Sequence, residues 1–230
     1  MPIHRPTQIP DHATVSLEAL AGQGLGHKIT LGGAFGLLHY LDYRETNDVD
    51  AWWAETTSTH EKDQIVEVVR DVLAKAGEVR VRQWGDVVSI ELLQDSRKVF
   101  SFQIASRSAR LGTPQLAPWT DVLLDSFQDL IASKMVALVE RGAPRDFRDI
   151  HAVCQNQLCT AVECWELWRQ RQQRAGGSTD SDRARLAVRT HLGRIAAQRP
   201  LASIEDPEER AAAARVRTWF EKEFLDALVD

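Results

Sequence analysis

Apolar and polar positions along the chain change period near its middle. Val15 to Leu25 carries Leu17, Leu20 and Leu25 at spacings of a short helix, after a polar, proline-bearing arm over residues 1–14. Ile29-Thr30-Leu31 reads as a brief strand running into Gly32-Gly33, and Ala34 to Leu41 returns to helical spacing. Asp48 to Trp52 is the next strand. Ser58-Thr59-His60-Glu61 has the form of a capping box, opening a helix through about Ala76 with Ile65, Val68, Val69 and Val72 on its buried side. Val79–Val81, Val87–Leu92 and Val99–Ile104 are β-branched and predict three more strands.

From Asp125 onward the period is helical throughout. Phe127, Leu130, Ile131, Leu138 and Val139 recur at steps of three and four, until Gly142-Ala143-Pro144 breaks the pattern. A helix beginning near Arg145, another over Val162–Arg174, and two more over about 182–198 and 207–229 complete the chain, with a flexible loop at residues 175–181. This order predicts an α/β (α+β) class: a mixed β-sheet with flanking helices over residues 1–124, then an α-helical domain over 125–230.

Composition narrows the setting. The 230 residues are 43% hydrophobic and 27% charged, ordinary for a soluble protein with a sizeable core. A net charge of −5 provides no global attraction to nucleic acid, although a local basic face is compatible with it. The apolar runs are too short and too charged to span a bilayer, and the N-terminus lacks the apolar run of a signal peptide. Cys154, Cys159 and Cys164 match neither a CxxC metal site nor a disulfide framework, so they read as packing or surface thiols in a reducing cytoplasm.

The chemistry concentrates in a few positions. In a strand, Asp48 and Asp50 point to one face, because side chains alternate with a period of two. Like charges side by side are unfavourable without a cation, and Mg²⁺ takes one or two carboxylates and completes its shell with phosphate oxygens and water. Gly32-Gly33 at a strand-to-helix junction permits close backbone approach and presents free N–H groups to an anion; a tight turn needing glycine is the plainer account. Fourteen residues separate Gly33 from Asp48, enough for one helix and a return to an adjacent strand. Lys134 falls in line with Leu130, Ile131 and Leu138, so it either snorkels to the edge or is held there for its charge. Arg145-Asp146, after Pro144 and close to Arg141, holds more charge than a helix start requires. Arginines at 169, 171, 174, 183, 185, 189, 194 and 199 outnumber the acids around them, and could face an RNA backbone or simply solvate helix exteriors. Trp52 and Trp53 suit packing or base stacking, and His27, His39 and His151 have no metal spacing.

Two strings together resemble a known family. Leu31-Gly32-Gly33-Ala34, Leu38-His39-Tyr40 and Arg44-x-Thr46-x-Asp48-Val49-Asp50 resemble the first motif of the AbiEii/AbiGii-type nucleotidyltransferase toxins, relatives of the MenT toxins within the DNA polymerase β-like superfamily. Lys134-Met135-Val136-Ala137-Leu138-Val139-x-Arg141-Gly142-x-Pro144-Arg145-Asp146-Phe147-x-Asp149-Ile150 is similar to the family's lysine and Arg-Asp motifs. The resemblance implies a nucleotidyltransferase fold followed by a helical domain that contributes lysine, arginine and aspartate to the active site. It implies Gly32 and Gly33 at the nucleotide's phosphates, Asp48 and Asp50 on Mg²⁺ (or Mn²⁺), Lys134 on the triphosphate, and Asp146 as a further catalytic or positioning acid; in the reaction expected from these parts, Arg141 joins Lys134 in neutralising the triphosphate. It further implies a toxin with a cognate antitoxin, transferring a nucleotide from an NTP to RNA, such as the tRNA 3′ end; the arginine cluster, Arg169, Arg171, Arg174, Arg185 and Arg189 within it, is the face that would suit such an acceptor. A protein or small-molecule hydroxyl as acceptor, and a degenerate fold serving only in binding or regulation, are the alternatives.

The chain departs from the wider superfamily twice. Gly33 stands where many members have serine, and the third carboxylate has no clear counterpart, Gln103 and Glu91 being the candidates for its place.

Overall fold

The computed structural model describes residues 2–227, which fall into two compact units, Met1–Leu130 and Ile131–Asp230. The break between them lies inside a helix.

The first unit is built on a seven-stranded mixed sheet in the order β3-β4-β5-β2-β1-β7-β6. Its strands are β1 (Ile29–Leu31), β2 (Asp48–Trp53), β3 (Glu78–Trp84), β4 (Val87–Gln94), β5 (Arg97–Ala105), β6 (Gln115–Leu116) and β7 (Leu123–Leu124). β2 runs antiparallel to β1 and parallel to β5, with Asp48 opposite Ser101 and Asp50 opposite Gln103. Alternation divides the faces cleanly. Val49, Ala51 and Trp53 of β2 join Phe100, Phe102 and Ile104 of β5 and Ile90 of β4 in one apolar core. Helices α1 (Asp11–Gly22) and α3 (Thr59–Leu73) contribute Ala13, Leu17 and Leu20, and Ile65, Val69 and Leu73, to the same core. The opposite face of β2 carries Asp48, Asp50 and Trp52.

Most predicted elements stand close to where the pattern puts them. The Ser58–Glu61 capping box forms in both directions, Glu61 N–H to Ser58 Oγ at 3.3 Å and Ser58 N–H to Glu61 Oε2 at 2.7 Å. Helix α1 begins at Asp11, inside the expected arm, because Ala13 already belongs to the buried stripe of Leu17 and Leu20. Helix α2 (Gly33–Leu38) stops short of Leu41. At its end His39 is fully buried, donating from Nδ1 to Phe35 O at 3.1 Å and accepting Trp119 Nε1–H at 3.0 Å, and burial lowers its pKa to about 4. The β4–β5 hairpin turns on Asp95 and Ser96, both at positive φ (50° and 61°) without a glycine to announce them. β6 and β7 are two residues each, too short for any periodicity to reveal.

Helix α4 (Phe127–Glu140) carries the boundary between units. The second unit continues with α5 (Pro144–Gln155), α6 (Ala161–Arg174), α7 (Ser181–Gln198) and α8 (Pro207–Trp219). The helix expected to run to residue 229 instead passes into a π-helical turn, Phe220–Phe224, and its last expected positions lie outside the described residues. The wider turn gathers aromatic rings inward: Phe220 meets Phe147 and Phe224 at centroid distances of 4.7 Å, and Trp165 meets Phe224 at 5.2 Å. The three cysteines are free, with Cys164 Sγ 3.6 Å from Cys159 and 3.8 Å from Cys154, in keeping with packing thiols. Among the described residues no helix is long and apolar enough to cross a membrane.

Phe220 is the hub of the second unit's core and is fully buried. Phe220→Ala is expected to destabilise this unit by about 3–5 kcal/mol, read from urea denaturation followed by tryptophan fluorescence. A change below about 1 kcal/mol would show that the π-turn is not part of that core.

Candidate active site

In the first unit, glycine pair and aspartate pair meet at one point of the sheet. Gly32 N–H donates to Asp50 O at 2.8 Å, continuing the β1–β2 ladder. Gly33 then adopts φ +58°, the left-handed region that glycine enters without cost, and opens α2. The space a Cβ would need at Gly33 is occupied by the Asp50 carboxylate, and at Gly32 by the Trp52 indole. Neither position can hold a side chain without displacing Asp50 or Trp52. A serine at position 33 would collide with the Asp50 carboxylate.

Asp48 lies one alternation away on the same face. Its Oδ1 accepts Ser101 Oγ–H at 2.5 Å and receives Lys98 Nζ at 3.4 Å. The parallel register places Ser101 beside Asp48, and Lys98 arrives from the start of β5. Gln103 occupies the register position beside Asp50, and its amide has no basic oxygen. Glu91 pairs with Ser101 on the next strand over, and its side chain faces Arg82 at 3.5 Å. Among the described residues no group of three or more His, Cys, Asp or Glu is arranged to hold a metal ion. A pair of carboxylates nonetheless fits Mg²⁺, whose shell is ordinarily finished by water and phosphate oxygens.

Behind Gly32 lies a buried cluster of one arginine and two aspartates. Asp125, 1% exposed, follows β7 and donates its backbone N–H to Leu31 O at 3.0 Å. Its Oδ2 accepts Trp52 Nε1–H at 3.0 Å and pairs with Arg107. Arg107 Nη1 also meets Asp129 Oδ1 at 3.1 Å. Burial pushes the Asp125 carboxyl up to about 6, against the pull of the Arg107 guanidinium. An acid directly after the apolar pair Leu123-Leu124 was the sole hint of this cluster in the sequence.

The second unit holds the other predicted residues. Lys134 does not snorkel: it is 7% exposed, with Nζ 2.6 Å from Asp149 Oδ2. Arg141 grips Asp146 with two hydrogen bonds, Nε to Oδ2 at 2.9 Å and Nη2 to Oδ1 at 3.0 Å. Asp146 is fully buried and also accepts Ala143 N–H at 3.0 Å, closing the first turn of α5. Asp146, Asp149, Ile150 and Val153 share the buried stripe of α5. Asp149, like Lys134, is a charge on an apolar helical stripe, and that spacing is the signal for it in the sequence. The arginines of α6 and α7 divide. Arg174 and Arg189 are exposed, Arg169 pairs with Glu166, and Arg185 lies 4.0 Å from Asp182. Arg171 is 7% exposed, so it departs from the outward-facing set expected of these helices.

A family model described as "Nucleotidyl transferase AbiEii toxin, Type IV TA system" matches residues 16–227. No curated protein gives a significant match. Among solved structures, an antigenic nucleotidyltransferase-like protein from Paracoccidioides brasiliensis is similar at 14% identity over 88% of this chain and 91% of that chain, with a TM-score of 0.38.

The Asp125 carboxyl has a consequence for stability. The folded state keeps its proton up to about pH 6, whereas the unfolded chain releases it near 3.8. Between these values the folded state binds more protons, so this contribution is full below about pH 4 and is lost as pH rises to 6. Urea midpoints of the wild type should therefore fall relative to those of Asp125→Asn over that window. Parallel curves would refute the raised carboxyl.

Proposed function

The chain belongs to the AbiEii family of nucleotidyltransferase toxins of type IV toxin–antitoxin systems, and from that premise we propose that it transfers a nucleotide from an NTP to a hydroxyl of RNA, the tRNA 3′ end being the leading acceptor. The observation that supports this most directly is the contact of the Asp50 carboxylate with the left-handed Gly33 turn, beside Asp48 on the same face. A phosphate seat and a divalent-cation seat then share one corner of the sheet.

In this reading Asp48 and Asp50 hold Mg²⁺, or Mn²⁺, which when bound neutralises the triphosphate and polarises its α-phosphorus. The N–H groups around Gly33 orient the phosphates. Lys98 and Ser101 hold the Asp48 carboxylate in place until the nucleotide arrives. The acceptor oxygen bonds to the α-phosphorus, the bond to the β-phosphate oxygen breaks, and pyrophosphate departs with the electron pair while the hydroxyl proton passes to water. No strong base is required, because positioning and charge neutralisation supply most of the acceleration. Gln103 in place of an acid is consistent with that economy. From the second unit, Lys134 and Arg141 are proposed as the cations for the triphosphate. Asp149 and Asp146, already bonded to them, set their orientation. Arg174 and Arg189, with weaker contributions from Arg169 and Arg185, are proposed to contact the RNA backbone. Membership of the family implies a cognate antitoxin.

The test is incubation with each labelled NTP, Mg²⁺ and total tRNA, with Asp48→Asn and Asp50→Asn in parallel. Label should enter RNA, and each variant should lose at least about 100-fold in rate, the scale on which metal sites respond to weakened ligation. Label on protein or a small molecule would move the acceptor class. No transfer to any acceptor, and no Mg²⁺-NTP binding by calorimetry, would show a degenerate fold.

A further inference from the structure

The buried cluster behind Gly32 takes no part in the chemistry just described, yet its geometry converges on the glycine turn. Arg107 (side chain 5% exposed), Asp125 and Asp129 are too deep to touch a nucleotide. The Arg107 guanidinium stacks on the Trp52 ring, 4.8 Å from its centroid, while Asp125 accepts the indole N–H. Asp129 anchors the segment that follows Arg107, accepting Leu111 N–H at 2.8 Å and Gly112 N–H at 2.9 Å. Trp52 is thus clamped from two sides. The indole in turn fills the space over Gly32, and the Asp125 backbone bonds to the residue before it.

Two consecutive glycines have wide backbone freedom. Left unbraced, the turn would have to surrender that freedom each time a phosphate bound, weakening affinity. We infer that Arg107 and Asp125, acting through the Trp52 indole, are positioning residues that hold the Gly32–Gly33 turn against Asp50 and so set the affinity for the nucleotide. The inference rests on the proposed reading of that turn as the phosphate seat. It assigns Trp52 a role that neither plain core packing nor base stacking would predict.

Trp52→Phe keeps one aromatic ring but removes the indole N–H together with the five-membered ring that lies over Gly32, and Asp125→Asn alters the same bond from the other side. KM for the NTP, kcat and the thermal midpoint are measured for each and for the double variant, with Mg²⁺-ATP, Mg²⁺-CTP, Mg²⁺-GTP and Mg²⁺-UTP also titrated calorimetrically. KM and Kd should rise about three- to tenfold in Trp52→Phe, the range for one lost hydrogen bond, with kcat within about twofold. The double variant should fall short of the product of the two single effects, since both changes act on the Trp52–Asp125 bond. A folded Trp52→Phe protein with wild-type KM and Kd would overturn the inference while leaving the nucleotidyltransferase reading intact. A wild type that neither binds nor transfers any NTP would overturn that reading first, and this inference with it.

Discussion

Strand β2 lies between β1 and β5 and has to satisfy two environments at once. Its odd-numbered positions, Val49, Ala51 and Trp53, are buried in the core between sheet and helices. With a period of two, its even-numbered positions have no choice but the opposite face, which fixes Asp48, Asp50 and Trp52 side by side. A slip of one residue would bury both carboxylates in the apolar core, a cost no surrounding contact could offset. The site geometry therefore follows from the register of one strand. That register is secured by β1 on one side and β5 on the other.

The glycine turn obeys the same constraint from the neighbouring strand. Gly32 continues the ladder with Asp50, and Gly33 leaves it in a conformation that points the chain into α2. Both lack Cβ atoms because the space is already taken by Asp50 and Trp52. Here glycine provides room as much as flexibility. Each unit also carries ion pairs made by buried acids: Arg107 with Asp125 and Asp129 in the first, Lys134 with Asp149 and the half-exposed Arg141 with Asp146 in the second. Removing one partner from such a pair leaves an uncompensated charge, so these residues depend on one another for their orientation.

Much of this was legible in the residues. The strand–Gly-Gly–helix unit, the Asp48–Asp50 face, the Ser58 capping box and the helical second half all follow from short-range rules of alternation and capping. Lys134 was recognised because a charge on an apolar stripe violates those rules. What escaped detection depended on pairing between distant segments. Ser101 beside Asp48 comes from the β2–β5 register across 53 residues, and Asp125 beneath Trp52 from the β1–β7 pairing. The β4–β5 turn at Asp95-Ser96 is imposed by the hairpin rather than by turn-forming glycine.

By itself the sequence determined the kind of chemistry available: two carboxylates that alternation forces together, a glycine pair at a strand end, and a lysine where only an apolar residue belongs. These are local properties, set by backbone geometry within a few residues. Only the tertiary structure decided what each group bonds to. It placed the Asp50 carboxylate against Gly33, turned Lys134 to Asp149 rather than to solvent, withdrew Arg171 from the surface, and built the Arg107–Asp125–Trp52 brace. Such contacts join segments far apart in the chain, and their geometry is set by how the sheet and helices pack, which no local pattern encodes.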